Sequence, residues 1–243
     1  MRERWTWAAI IAGLAVVMAI LSQLPAISQP KQAASKEEAL VLALASAYPN
    51  YQPDRGQPLE VRWLDSALIP NSTHGQLVLA GTILPHDGFL SVFAARSPEG
   101  YLLLDVVTDM AHIDEVSEVQ AIGDAAPELA VSQTLDQLVG AFFKITVHSI
   151  FKWSDTEKRL VQIWEYPTEI EAYDITTDLS TKVTKRAQLQ MEPNRILVYE
   201  TATTWQRDSP DGAYQALGTE TKKMRYIWSA KDFTFVLDDT ASN

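Results

Sequence analysis

Three textures of hydrophobic and polar positions follow one another along the chain. The first is a block: from Trp7 to Leu24 nearly every position is apolar, and no ionisable side chain occurs between Trp5 and Pro30. At ~1.5 Å per residue a helix over these positions reaches about 27 Å, close to the hydrocarbon thickness of a bilayer. Arg2 and Arg4 precede the block, Trp5 and Trp7 stand where indole rings favour the headgroup level, and Pro25 stops the helix. The pattern predicts a single transmembrane anchor over residues 7–24, with 1–6 in the cytoplasm and the rest extracytoplasmic. A cleaved signal peptide shares the basic start and apolar middle, and Ala26-Ile27-Ser28 offers a cleavage site. Both readings export the remainder.

The second texture has a helical period. After a polar spacer over 25–34, Ser35 has the character of an N-cap, with Glu38 as its capping-box partner. Leu40, Val41, Leu44 and Ala47 recur at helical spacing until Tyr48-Pro49. A short amphipathic helix over 36–47, docked by one apolar face, is predicted. From Leu59 the period falls to two, with β-branched and aromatic runs broken by turn residues every ten or so positions. Predicted strands cover 59–64, 76–84, 89–96, 101–107, 116–122, 128–132, 141–153, 159–165, 169–175, 182–190, 195–207, 221–228 and 233–237. Gly88 and Gly100 close turns at 85–88 and 97–100, making a meander of three strands, and each turn calls for a positive φ. Leu197, Tyr199 and Trp205 share one strand face and Ile196 and Val198 the other, so that strand belongs in the interior of its sheet. The fold class is therefore mainly β. An N-terminal transmembrane helix and one short helix lead into a single antiparallel β domain over 35–243, a sandwich or bent sheet or a degenerate propeller.

Charge and composition narrow the partners. With Arg2, Glu3 and Arg4 set aside, 18 basic and 30 acidic side chains remain, a poor match to nucleic acid, which needs a basic stripe to displace counterions. The chain has no cysteine, which excludes disulfides, thiolate metal sites, cysteine nucleophiles and a lipidated cysteine anchor.

One stretch resembles a known repeat. In residues 105–132, a strand leads through a polar turn to Gly123 and Asp124, then to Pro127, Glu128, Leu129 and Val131, a pattern similar to FG-GAP or VCBS-type repeats. The Trp-turn-Phe pattern from Tyr226 to Phe233, and the run from Ile150 to Trp153 followed by Leu160 to Trp164, resemble the strand pairs of such proteins. The resemblance implies blades of an extracellular β-propeller that serve in binding more often than in catalysis. Calcium-binding versions carry several aspartates in one loop; here Asp124 is followed by Ala125 and Ala126, and one carboxylate does not hold that ion.

Catalytic templates are missing: the chain has no Gly-x-Ser-x-Gly elbow, His-Glu-x-x-His helix, Gly-x-Gly-x-x-Gly turn or Walker loop. The weak catalytic candidates are Asp109, His112 and Asp114, because a strand would turn His112 and Asp114 to one face. His148 reads as a half-buried histidine of the sheet. Trp153, Trp164, Trp205 and Trp228 are the candidates for an aromatic binding groove. No metal site and no cofactor is indicated. The expected partners are the membrane, through the N-terminal helix, and an envelope protein or glycan. The expected function is a membrane-anchored extracytoplasmic binding or accessory module, with a carboxylate-based hydrolase as the alternative. Mass spectrometry of the mature N-terminus tests the first step. An anchor leaves the peptide containing Trp5 and Trp7 in the membrane-extracted chain, whereas a new N-terminus near residue 28 establishes a secreted protein.

Overall fold

In the computed structural model, the described residues are 32–51, 58–96, 100–139 and 142–238. The anchor expected over 7–24 and the cytoplasmic segment 1–6 lie outside them. Among the described residues, no helix is long and apolar enough to cross a membrane.

One helix, thirteen strands and a short 3-10 turn (Ile175–Thr177) account for most of these residues. They are β1 (Gln32–Ala33), α1 (Lys36–Ala47), β2 (Leu59–Ser66), β3 (Gln76–Ile83), β4 (Asp87–Arg96), β5 (Gly100–Met110) and β6 (His112–Val119). The later strands are β7 (Glu128–Gln137), β8 (Phe143–Ser154), β9 (Arg159–Tyr173), β10 (Thr181–Glu192), β11 (Arg195–Gln206), β12 (Gln215–Ser229) and β13 (Thr234–Leu237). The protein is mainly β, with two antiparallel sheets. It divides into two compact units, one of residues up to His112 with Ser154–Leu160, the other of Ile113–Trp153 with Val161 onward.

In the first unit five strands lie in the order β1-β5-β4-β3-β2. Helix α1 begins where the capping residues place it: Ser35 is extended at φ −138° and ψ 169°, and its Oγ accepts from Glu38 N–H. The reciprocal bond goes one residue further back than a standard capping box, Ala34 N–H donating to Glu38 Oε2 at 2.8 Å. Charge is confined to the first turn, Lys36 to Glu38. Beyond it Ala39, Leu40, Val41, Ala43 and Leu44 are all buried, so the helix docks by most of its circumference and is not amphipathic along its length. Small side chains allow this, bringing Ala39, Ala43 and Leu44 into one cluster with Leu77, Leu79, Phe89 and Phe93 of the sheet.

The expected spacer ends three residues earlier than the sequence suggests. Gln32 and Ala33 pair with Leu102 and Tyr101 of β5, and Ala33 is buried. Gly100 makes this approach possible, since it has a φ of +89° and a Cβ there would overlap Ala33 O. At the other predicted turn Gly88 lies inside β4, opposite Thr82 and Met110.

Strand β3 is buried at all eight positions, which its apolar run from Leu77 to Ala80 anticipates. Within it Gly81 faces Phe89 across the β3–β4 ladder, and the ring covers the space a side chain would fill. The Phe89 ring in turn meets Tyr48 edge-on at 6.0 Å.

The second unit holds eight strands in strict sequence order, β6 to β13, an uninterrupted antiparallel meander. Several of its boundaries differ from the pattern read in the sequence, among them the end of β7, at Gln137 where 132 was expected. Strand β6 starts at His112 and ends at Val119, because the N–H groups of Ala121 and Ile122 bond a carboxylate, not a neighbouring strand. The two short strands expected around Pro167 are one, β9, whose pairing with β10 runs only from Glu169 to Tyr173, so Pro167 is clear of that ladder. Strand β12 begins at Gln215, six residues before the predicted start. Strand β11 lies between β10 and β12, an interior position, as its two apolar faces require.

The Phe89 ring over Gly81 gives the first stability prediction. Gly81→Ala should lower unfolding free energy by about 1–3 kcal/mol, the range for overpacking a close-packed core. Adding Phe89→Leu should recover part of the loss if the clash is the cause, a result read from urea midpoints of the two variants.

Candidate functional site

Strand pairing determines which side chains share a face, because directly opposite residues of an antiparallel pair project to the same side. In the second unit the register places Glu171 beside Thr184, Thr184 beside Thr203, and Thr203 beside Thr219. The next row along the strands is Glu169, Arg186, Thr201 and Thr221, and the third is Gln188, Tyr199 and Lys223. One face of the meander is therefore a lattice of threonines bounded by charges and by two aromatic rings, Tyr199 and Trp205.

Side-chain contacts fix the lattice. Trp205 Nε1–H donates to Thr184 Oγ1 at 2.8 Å, and the hydroxyls of Thr203 and Thr219 lie 3.1 Å apart. Lys223 Nζ sits 5.2 Å from the centre of the Tyr199 ring. At one end Lys182 Nζ contacts Glu171 Oε1 at 2.8 Å, and Tyr173 O–H donates to the same oxygen at 2.7 Å. The ammonium also lies over the rings of Tyr173 and Tyr214, at 5.2 and 4.8 Å. The hydrogen bonds from Lys182 and Tyr173 hold the Glu171 carboxyl below the usual carboxylate range. Burial works against the Lys182 ammonium, but its bonds to Glu171 and Tyr173 prevail and raise its pKa. This face lines a concavity of about 800 Å³, with Lys144, Glu169, Glu171 and Arg186 among its charged groups. It carries donors, acceptors and stacking surface, and its basic groups, Lys144, Lys182, Arg186 and Lys223, outnumber the acidic Glu169 and Glu171.

The opposite face is the apolar core of the unit, built on Ile163, Trp164, Tyr166, Ile196, Val198 and Phe235. One ionic group is set into it. Tyr166 O–H donates to Glu200 Oε2, Lys185 Nζ lies 2.5 Å from the same oxygen, and Lys185 also stands 4.6 Å from the Tyr166 ring centre. Burial, reinforced by the Glu200 carboxylate, pushes the Tyr166 phenol above its ordinary pKa. Burial would raise the Glu200 carboxyl too, yet the bonds from Lys185 and Tyr166 prevail and lower it.

The tryptophans separate between these two faces. Trp153 and Trp164 are buried, Trp164 stacking on Tyr166 at 6.0 Å, and their indole nitrogens have no hydrogen-bond partner. Trp228 packs against Phe233 and Phe235, each at 5.5 Å. Trp205 is the member of the four that lines the concavity. Sequence reading missed the threonines, although their signal was present: Thr201 and Thr203 repeat at a spacing of two, as do Thr219 and Thr221.

Asp109, His112 and Asp114 engage separate neighbours. Asp109 has a φ of +61° and accepts from Thr108 Oγ1 at 3.2 Å. His112 Nε2 lies 3.8 Å from Glu60 Oε2, and Asp114 accepts from Thr134 Oγ1 at 2.7 Å. Burial lowers the pKa of the half-buried His148, against a smaller opposing pull from Glu115. Among the described residues no group of three or more acidic or histidine side chains is placed to hold a metal ion.

The stretch that resembles a repeat supplies a buried ion pair. Glu128 is fully buried, and its Oε2 accepts from Ala121 N–H at 2.8 Å and Ile122 N–H at 3.3 Å. Lys152 Nζ reaches Glu128 Oε1 at 2.9 Å and Asp124 Oδ2 at 2.8 Å. The lysine ammonium thus supplies the positive charge to both carboxylates. No family model matches the chain, and no curated protein matches it.

Removing one partner of the buried pair strands the other. Lys152→Met should cost about 3–5 kcal/mol, while Glu128→Gln combined with Lys152→Met should cost clearly less than the two single changes together. Chemical denaturation of the four proteins of the cycle gives the coupling, and an additive cycle contradicts this role.

Proposed function

We propose that the protein is a membrane-anchored extracytoplasmic binding module of the cell envelope whose binding surface is the threonine-lined face of β9 to β12. The single observation that carries this reading is the concavity of about 800 Å³ on that face, where hydroxyls, paired charges and the rings of Tyr199 and Trp205 converge. Each threonine hydroxyl both donates and accepts, and an aromatic ring gives large contact area with few torsions to freeze. A hydroxyl-rich chain such as an envelope glycan suits that combination: its polar edges replace bonds to water one for one, and its apolar ring faces lie on Tyr199 or Trp205. The acidic excess of the chain, 31 acidic against 20 basic side chains, does not favour a polyanion. The anchor motivating the membrane assignment is the apolar block at Trp7 to Leu24, and the binding role is also the one that the repeat resemblance implies.

Titration calorimetry of the full-length chain against soluble cell-wall glycan fragments tests the reading. Trp205→Ala and the pair Thr201→Val with Thr203→Val should each weaken binding about tenfold or more, a loss of roughly 1.4 kcal/mol. Absence of heat with every fragment, or binding that ignores both variants, excludes this face as a glycan site.

A further inference from the structure

The outer backbone edge of strand β12 is a second surface, beside the threonine-lined face to which its Thr219 and Thr221 side chains belong. Residues Gln215 to Lys223 of the strand are all exposed. On one side the strand pairs with β11 along most of its length. On the other, among the described residues, the ladder to β13 covers Tyr226–Ser229 and one further bond runs from Asp238 N–H to Arg225 O at 2.7 Å. Ala216 and Gly218 face consecutive residues of β11, Trp205 and Thr204, so Leu217 is the extra residue of a bulge. Between the bulge and the β13 ladder, Gly218 to Met224 is regular strand with no partner on its other side among the described residues, and Thr221 is its midpoint.

We propose that this edge pairs with the same edge of a second copy, antiparallel and across a two-fold axis at Thr221. Geometry limits the choices. A two-fold between antiparallel neighbours stands perpendicular to the sheet and keeps each residue on its own face, so residues opposite one another must have the same parity. The axis therefore passes beside a residue and not between two. Centred on Glu220 it opposes two carboxylates, and centred on Lys222 it opposes two ammonium groups; both are unfavourable. Centred on Thr219 it sets Lys222 against Ala216, across the bulge. Centred on Thr221 it sets Glu220 against Lys222 of the second copy, twice by symmetry. Lys222 already faces Glu200 on β11, so the joined sheets carry the alternating row Glu200, Lys222, Glu220. Charge and uncovered length are separate observations, and they select the same centre.

The same charges act against other pairings. Lysine and glutamate on a sheet edge discourage indiscriminate strand addition, because most registers bring like charges together or leave one unpaired. A seven-residue ladder also buries less area than a permanent interface, so the association is reversible.

The chain contains no cysteine, so a single introduced cysteine reports on one position. In cells producing the full-length chain, mild oxidation of Thr221→Cys should give a disulfide-linked dimer. Thr219→Cys should give at least fivefold less, because a Thr221-centred register displaces the two copies of residue 219 by about 13 Å. Adding Glu220→Lys to the Thr221→Cys chain should cut the dimer at least fivefold, and adding Lys222→Glu as well should restore it. No dimer at residue 221, equal dimer at residue 219, or a yield that ignores charge reversal overturns the proposal.

Discussion

A fully buried carboxylate must be given hydrogen bonds and a counter-charge, and in the second unit that requirement falls on Glu128. An unpaired ion in a low-dielectric interior costs several kcal/mol, so everything that satisfies Glu128 is held in place by the need to satisfy it. Its two oxygens draw in the N–H groups of Ala121 and Ile122 and the ammonium of Lys152. The lysine brings Asp124, whose other oxygen accepts from Ala126 N–H at 3.3 Å. A connection that would otherwise have to find partners for its backbone in water becomes a fixed piece of the core. The constraint then passes outward. Ala121 O accepts from Asn194 N–H at 2.8 Å, Asn194 O accepts from Trp228 N–H at 3.0 Å, and Gly123, at φ +78°, lies against Pro193. One buried carboxylate thus ties the β6–β7 connection to the β10–β11 turn and to β12.

Fixing that turn matters for the concave face. The lattice depends on β10 and β11 staying in one register, from Glu192 opposite Arg195 to Thr181 opposite Gln206. A slip of one residue would carry Thr184, Arg186 and Gln188 to the core side and turn Lys185, Ala187 and Leu189 outward. Pinning the tight end of the hairpin at Pro193 and Asn194 blocks that slip where it would begin. At the far end Trp205 bonds Thr184, and Lys182 bonds Glu171, so polar contacts on the concave face hold the register that the core residues select.

The helix and most strands were legible because local signals and tertiary needs agreed. Ser35 and Glu38 mark a helix start in any context, and the apolar run of β3, bounded by turn residues, reads as a strand. Legibility failed where burial supplied no contrast. In β12 the residues before Thr221 are exposed on both faces, so no period of two can appear there, and Gly218 weakens the propensity further. Pro167 reads as a break because proline cannot donate to a ladder, but β10 stops pairing at Glu169, before that deficit is felt. The Glu128 anchor was also out of reach, since a glutamate that opens a strand after Gly-Asp-Ala-Ala-Pro gives no sign of burial until its neighbours are known.

The candidate site follows the same logic from the other side. Aromatic residues dominated the sequence reading because they are rare and large, yet rarity does not say which face a strand will bury. Large rings are the side chains with most to gain from the core, and Trp153 and Trp164 went there. A binding face in a meander is the face that the core did not claim. Its signature is alternation between apolar residues and residues able to hydrogen bond, and it becomes visible only when neighbouring strands are placed in register. Thr201 with Thr203 is unremarkable in one strand; beside Thr219, Thr221 and Thr184, with Trp205 bonded at the edge, the same residues form a surface. The information lies in pairing across strands, which period-two reading of a single segment does not contain.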